Sequence, residues 1–222
     1  METFQDVVDA VVAGRTEKIE DVVRQVLDKG ATGPDVIDKG LVAGLDVVGE
    51  QFANGEIFLP EMILSAVTAK KGIAIATEGI GKGEHKPKAT IVVGTIKGDL
   101  HDMGKNLVAL YLGVRGFEVI DLGVDVHEEQ FISGIREHKP EFLGVSCLMT
   151  TTMPGMEDVI NALTEAGVRN TVKVILGGCP VTQEFVSQIG ADYYGHDAVS
   201  SAVVLEKSLA NIKGKVRKGI LK

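Results

Sequence analysis

The apolar residues of this chain change their period once, close to residue 80, and that change constrains what each part can fold into. Up to about Thr77 they recur at helical spacing: Phe4, Val7, Val8 and Val11 share one face, Ile19, Val22, Val23 and Val26 a second, and Ile37, Leu41, Leu45 and Val48 a third. A fourth run, Phe58 to Ala76, is entered through Pro60, which a first helical turn tolerates because the missing donor has no partner there. Helices of this kind bury their stripes against one another, so the spacing predicts a small four-helix bundle.

Between Gly79 and Lys88 the segment GIGKGEHKPK, rich in Gly, Lys and Pro, reads as a linker. Beyond it short β-rich runs alternate with helical patterns: Ala89 to Ile96, Phe117 to Gly123, Phe142 to Leu148, Val172 to Gly178 and Ala191 to Gly195. Strands separated by helices require right-handed crossovers and a mostly parallel sheet covered on both faces, which gives a doubly wound α/β domain of five strands and five helices. The basic tail after Leu209 reads as a frayed end.

The hydrophobic fraction of 45% supplies apolar surface for real cores. Net charge is −8 and no basic stripe interleaved with aromatics occurs, which argues against a nucleic-acid partner. The acidity sits at the front, where residues 1–85 hold 15 Asp/Glu against 8 Lys/Arg, while residues 86–222 hold 16 against 15; a solvated helical face accounts for it. Cys147 and Cys179 lie in apolar strand patterns without CxxC spacing, as buried thiols of a reducing compartment do. The N-terminal residues show no secretory pattern and no run is long enough to span a membrane, so residence in the cytoplasm is expected.

The chemistry concentrates where the first strand gives way to a helix over Lys105 to Val114, in the loop Asp99-Leu100-His101-Asp102-Met103-Gly104. Ligands of open α/β sheets bind at the carboxyl ends of the strands, so a carboxylate and an imidazole two residues apart are well placed there. Such a histidine offers one ring nitrogen to a metal while the other donates to a carboxylate that fixes its orientation. Gly104-Lys105-Asn106 imitates part of a phosphate loop, but Asp99 stands where that loop needs its first glycine and Asn106 replaces the magnesium-binding hydroxyl. The remaining histidines, His85, His127, His138 and His196, lack ligand spacing, which argues against structural zinc. Taken alone, His101 reads as a hydrogen-bonded loop residue. Ser146 and Leu148 at the end of the third strand and Gly177-Gly178 at the end of the fourth change that reading, because a hydroxyl and a bare backbone then meet the His101 loop on one sheet edge.

The set Asp99-x-His101-x-x-Gly104, Ser146-x-Leu148 and Gly177-Gly178 resembles the signature of proteins that hold cobalamin with its own base displaced by a protein histidine. The segment Gly49 to Ala66 resembles the helical cap of methionine synthase's cobalamin region, so the likeness covers nearly the whole chain. The type it is most similar to is the free-standing corrinoid protein of methylamine, methanol or methoxyarene methyltransferase systems. The resemblance implies a four-helix cap over residues 1–86 and a doubly wound, flavodoxin-like or Rossmann-like, five-stranded cobalamin-binding domain over residues 87–222.

It further implies that His101 is the lower ligand of the cobalt and that Asp99 hydrogen-bonds its far nitrogen, with Thr152 as third member of a proton relay. Gly98, Leu100, Asp102 and Gly104 belong to the same binding loop; Ser146, Leu148 and Thr150 line the slot for the displaced nucleotide tail, and Gly177, Gly178 and Ala198 give close approach. Phe52 and Leu59 cover the upper face, and Asp38 aligns with an acidic cap residue of methionine synthase. The implied cofactor is cobalamin or a related corrinoid, with cobalt passing through methylcobalamin in the cycle. The implied partners are a substrate-specific methyltransferase, a second one serving a thiol or tetrahydrofolate acceptor, and a reductive activation protein, with the linker as hinge for a swinging cap. The alternatives are a subunit of an adenosylcobalamin mutase and a corrinoid-sensing module. The absence of a substrate barrel argues against the first, and the absence of a basic recognition helix against the second.

Overall fold

A computed structural model describes residues 2–78 and 87–217, and the chain divides into two compact units: Met1–Lys86 with Gly113–Arg115, and Pro87–Leu112 with Gly116–Lys222. The expected linker falls almost wholly on residues 79–86, outside the described residues.

The first unit is helical. α1 (Glu2–Val12) and α2 (Ile19–Asp28) are followed by a rod made of α3 (Gly33–Val36), a π-helical segment (Ile37–Val42) and α4 (Ala43–Ala53), and then by α5 (Leu59–Ala76). The stripes read from the sequence point inward: Val7, Val11, Ile19, Val23, Val26, Leu41, Leu45, Val48 and Met62 are all buried. α1 lies close against the rod because Gly40 and Gly44 present no side chain to it; a β-carbon on either would come within 2.8 Å of Val7 or Val11 respectively. α5 starts as the sequence predicts, with Pro60 in its first turn and the Phe58 N–H donating to Glu61 Oε2 at 3.1 Å.

The second unit is a five-stranded, wholly parallel sheet in the order β2-β1-β3-β4-β5, where β1 is Thr90–Thr95, β2 Glu118–Asp121, β3 Phe142–Ser146, β4 Lys173–Gly177 and β5 Tyr193–Gly195. The connecting helices are α6 (Met103–Val114), α7 (Glu128–His138), α8 (Gly155–Glu165) and α9 (Gln183–Gln188), and α10 (Ala198–Arg217) follows β5. The central strands are apolar between their ends, as strands covered on both faces must be: Ile91, Val92, Val93, Leu143, Val145, Val174, Ile175 and Leu176 are buried. The chain leaves β1 toward β2 on one side and returns to β3 on the other, and this reversal opens a crevice at the carboxyl ends of β1 and β3.

Three expectations need correction. α6 begins at Met103, two residues ahead of the expected start. The basic tail remains helical to Arg217, because α10 is anchored by buried Leu205 and Leu209, by Tyr193 Oη 2.8 Å from Ser208 Oγ, and by Lys213 Nζ donating to the Lys88 carbonyl at 3.0 Å; residues 218–222 lie outside the description. Cys179 is exposed, since β4 stops at Gly177 and the backbone turns away at Gly178 with φ +128°, whereas Cys147 is buried. Among the described residues no helix is long and apolar enough to cross a membrane.

Candidate corrinoid site

After β1 the chain crosses the sheet edge through Lys97 and Gly98, whose φ of +79° suits a residue without a β-carbon, and delivers Asp99 into the interior. The Asp99 side chain has no solvent exposure, yet it is fully engaged. Its Oδ1 accepts the His101 backbone N–H at 3.0 Å and stands 2.6 Å from His101 Nδ1, and its Oδ2 accepts the Leu148 N–H at 2.6 Å. Burial pushes this carboxyl up, but the backbone donors of His101 and Leu148 and the His101 ring outweigh burial and hold it below the usual carboxylate range.

An ionised carboxylate can only accept, so Nδ1 carries a proton toward it, and in the neutral imidazole the lone pair falls on Nε2. The His101 side chain is 53% exposed, and among the described residues nothing hydrogen-bonds to Nε2. The ring is therefore oriented from behind and open in front. Thr95 Oγ1 donates to the His101 carbonyl at 3.0 Å, which fixes the loop from below. On the far side, buried Lys105 donates to Asp121 Oδ2 at 2.5 Å and to Asn106 Oδ1 at 2.7 Å, while Asn106 Nδ2 donates to Asp102 Oδ2 at 3.0 Å.

The ends of four strands form one row in register: Thr95 pairs with Ser146, Ser146 with Gly177, and Gly177 with Gly195. Ser146, Gly177 and Gly178 are half-buried, and Thr150 is exposed in the loop after β3. The glycines serve the sheet first, because a β-carbon on Gly177 would stand 2.8 Å from the Gly195 carbonyl oxygen. Gly104 differs: nothing lies within 4 Å of where its β-carbon would be, so it borders open space. Around the ring, Leu100 and Met103 are exposed by 70% and 68%, and Leu148 is exposed as well.

Thr152 does not extend the His101–Asp99 pair. Its hydroxyl donates to the Met149 carbonyl at 3.1 Å and lies 3.2 Å from Cys147 Sγ, and only its methyl approaches the loop, 3.3 Å from a β-carbon built on Gly98. The extra methyl of threonine packs on the loop, and the hydroxyl turns to the Met149 carbonyl, which also accepts the Thr152 and Met153 backbone N–H groups. Ala198, at the first position of α10, is 3% exposed and belongs to the domain's packing. In the helical unit Phe52 is half-buried near the end of α4, Leu59 opens α5 at the surface, and Asp38 is exposed.

Two residues escaped the sequence reading. Phe58, 70% exposed, stands beside Leu59; an aromatic ahead of a Leu-Pro helix start is the signal that marks it. Asp125, between β2 and α7, accepts the Gly98 N–H on Oδ1 at 2.7 Å and donates its own N–H to the Asp99 carbonyl at 3.1 Å. Histidine ligand spacing also needs amending, because His127 groups with Glu128 and Glu129 at the exposed start of α7, where the His127 N–H is capped by Gln130 at 2.9 Å.

A parallel sheet with an imidazole held by a buried carboxylate at its switch point, joined to a helical unit, defines a B12-binding protein, and the chain matches the B12 binding domain over residues 89–203 and a second B12 binding domain family over residues 3–77. It belongs to this B12-binding family of corrinoid proteins. It is 40% identical over 206 residues to the trimethylamine corrinoid protein of Methanosarcina barkeri, covering 92% of this chain and 94% of that one. It is also 40% identical over 207 residues to dimethylamine corrinoid protein 3 of Methanosarcina acetivorans, covering 93% and 96%. Among solved structures, the methanol:cobalamin methyltransferase complex MtaBC of Methanosarcina barkeri aligns with a TM-score of 0.82 at 32% identity, over 94% of this chain and 80% of that one. A cobalamin-binding protein from Desulfitobacterium hafniense aligns with a TM-score of 0.79 at 30% identity, over 92% and 97%.

The residues present fit the family's cofactor. An imidazole held at Nδ1 with Nε2 outward is a nitrogen ligand suited to a transition metal, the exposed Leu100, Met103 and Leu148 offer apolar contact to a large planar ring, and the space beside Gly104 is clear for it.

Proposed function

We propose that this chain is a methyl-carrying corrinoid protein in which His101 is the lower ligand of the cobalt. The observation that carries the reading is the 2.6 Å contact between His101 Nδ1 and fully buried Asp99, which leaves Nε2 as the free ligand atom. When bound, the corrinoid supplies a cobalt centre able to accept a methyl group and to yield it to another nucleophile. Asp99 would hold the imidazole in one tautomer and one orientation, with Nε2 presented to the cobalt.

Ser146, Thr150, Gly177 and Gly178 offer hydroxyls and bare backbone to the displaced nucleotide tail, and Leu148 flanks it. Residues 1–86 act as the cap, with Phe52, Leu59 and neighbouring Phe58 as the apolar side chains that exclude water from the methyl group, and residues 87–222 act as the cobalamin-binding domain. The relatives named for trimethylamine and dimethylamine and the complex with a methanol:cobalamin methyltransferase support a substrate-specific methyltransferase as the first partner. A second methyltransferase, acting on a thiol or tetrahydrofolate, and a reductive activation protein complete the cycle. The chain carries the group and turns over nothing by itself.

The test is the visible spectrum of the protein reconstituted with hydroxocobalamin, beside His101→Ala. The wild type is expected to show imidazole-ligated cobalt and the variant to lose it; identical spectra overturn the assignment.

A further inference from the structure

Asp125 has φ +54°, in the left-handed region that among the described non-glycine residues only Lys139 shares. Lys139 terminates α7, where that conformation is ordinary. Asp125 terminates no helix. It sits in the loop after β2 and grips the His101 loop at two points that bracket Gly98 and Asp99, accepting from the Gly98 N–H at 2.7 Å and donating to the Asp99 carbonyl at 3.1 Å. The left-handed turn brings the carboxylate and the backbone N–H to the same side, and aspartate is one of the few residues that visits it at small cost.

The grip is itself braced. Val126, next in sequence, is buried, donates to the Thr95 carbonyl at 2.9 Å and bridges to Ile96, so Asp125 is held against the end of β1. What it holds needs holding. Gly98 is a flexible residue at φ +79°, and immediately after it the Asp99 carboxylate must meet three donors at 2.6–3.0 Å simultaneously. A buried carboxylate that slips from such donors is left with unpaired charge. A conformation kept by a non-glycine residue beside a site, and held by packing, is the signature of a backbone with a positional task.

We propose that Asp125 is a positioning residue for the axial ligand: its carboxylate fixes the Gly98–Asp99 segment so that Asp99 aims the His101 ring. The proposal rests on the reading of His101 as the cobalt ligand.

The test loads wild type, Asp125→Asn and Asp125→Gly with methylcobalamin and compares the fractions showing the imidazole-ligated absorption band, with the thermal unfolding of each loaded protein beside it. Asparagine keeps an acceptor oxygen and tolerates the left-handed turn; glycine keeps the turn and loses the acceptor. Asp125→Asn is expected to match wild type, and Asp125→Gly to lower the ratio of ligated to unligated cobalt about tenfold, the effect of one lost hydrogen bond to a charged group. An unchanged band in Asp125→Gly, with or without a lower unfolding temperature, overturns the proposal while leaving His101 as ligand. A wild type without the band overturns both. Should Asp125→Gly fail to fold, Asp125→Ser, whose hydroxyl is too short to span to Gly98, is read in its place by the same criteria.

Discussion

Gly178 passes so close to Cys147 that a β-carbon on it would stand 1.8 Å from the Cys147 carbonyl oxygen, and its φ of +128° is closed to residues with side chains. Two parallel strands end by touching backbone to backbone. Gly178→Ala is therefore expected to destabilise the protein by about 1–3 kcal/mol from backbone strain alone, with the collision adding to it. Urea unfolding of the cofactor-free protein measures the loss; an unchanged midpoint contradicts the packing described.

Gly104→Ala should do the opposite to the cofactor-free fold. The position lies in the first turn of α6 with open space around it, so alanine is expected to stabilise by up to about 0.5–1 kcal/mol. The same methyl occupies space proposed for the corrinoid, so affinity for hydroxocobalamin should fall. A thermal shift upward with a weaker spectral titration is the expected pair of results.

Away from the site, Asp192 ties β4 to the loop before β5. Its Oδ1 accepts from Lys173 Nζ at 2.6 Å, and its Oδ2 accepts from Arg169 at 2.8 Å and from the Val174 N–H at 2.9 Å. Burial pushes this carboxyl up, but Lys173, the Val174 N–H and Arg169 outweigh it and hold it below the usual range. A folded-state pKa below the unfolded value of about 3.9 means that the contribution is complete above roughly pH 4 and disappears as pH falls through the folded value. Asp192→Asn is expected to cost about 1–3 kcal/mol at pH 7 and to flatten the acid side of the stability profile. Urea midpoints from pH 7 down to about pH 3 check both.

The two thiols should separate by reactivity. Burial pushes the Cys147 thiol up, and the Asp99 charge adds to that, while hydrogen bonding with Thr152 and with the Met149 backbone offsets part of it; Cys179 is exposed. A chromogenic disulfide reagent is expected to titrate one thiol in the native protein and both in denaturant. Cys179→Ser should remove the fast phase.

The fold was legible because its signals are local. Buried parallel strands write themselves as apolar runs, and the bundle helices as stripes such as Leu41, Leu45 and Val48. The ends of elements were less legible, since what decides them is distant. The basic composition of α10's last turns reads as fraying until Tyr193 and Lys88 are seen to hold that helix. At the site, the separation of Asp99 and His101 already places a carboxylate near an imidazole, because two residues of one tight loop can scarcely avoid each other. The orientation of a hydroxyl is not written in spacing, so Thr152 came within reach of the loop yet bonded elsewhere. Asp125 acts across 27 residues of sequence, and no periodicity announces such a link.

Thr95, Ser146, Gly177 and Gly195 stand abreast as neighbouring strands end, so the upper rim of the sheet descends from hydroxyl-bearing residues to bare peptide. Three interstrand steps of about 4.8 Å make that ramp roughly 14 Å long. Its two ends are closed, since Thr95 and Gly195 are buried, so on the proposed function a nucleotide tail would meet this row only at its middle, where Ser146 and Gly177 are half-buried.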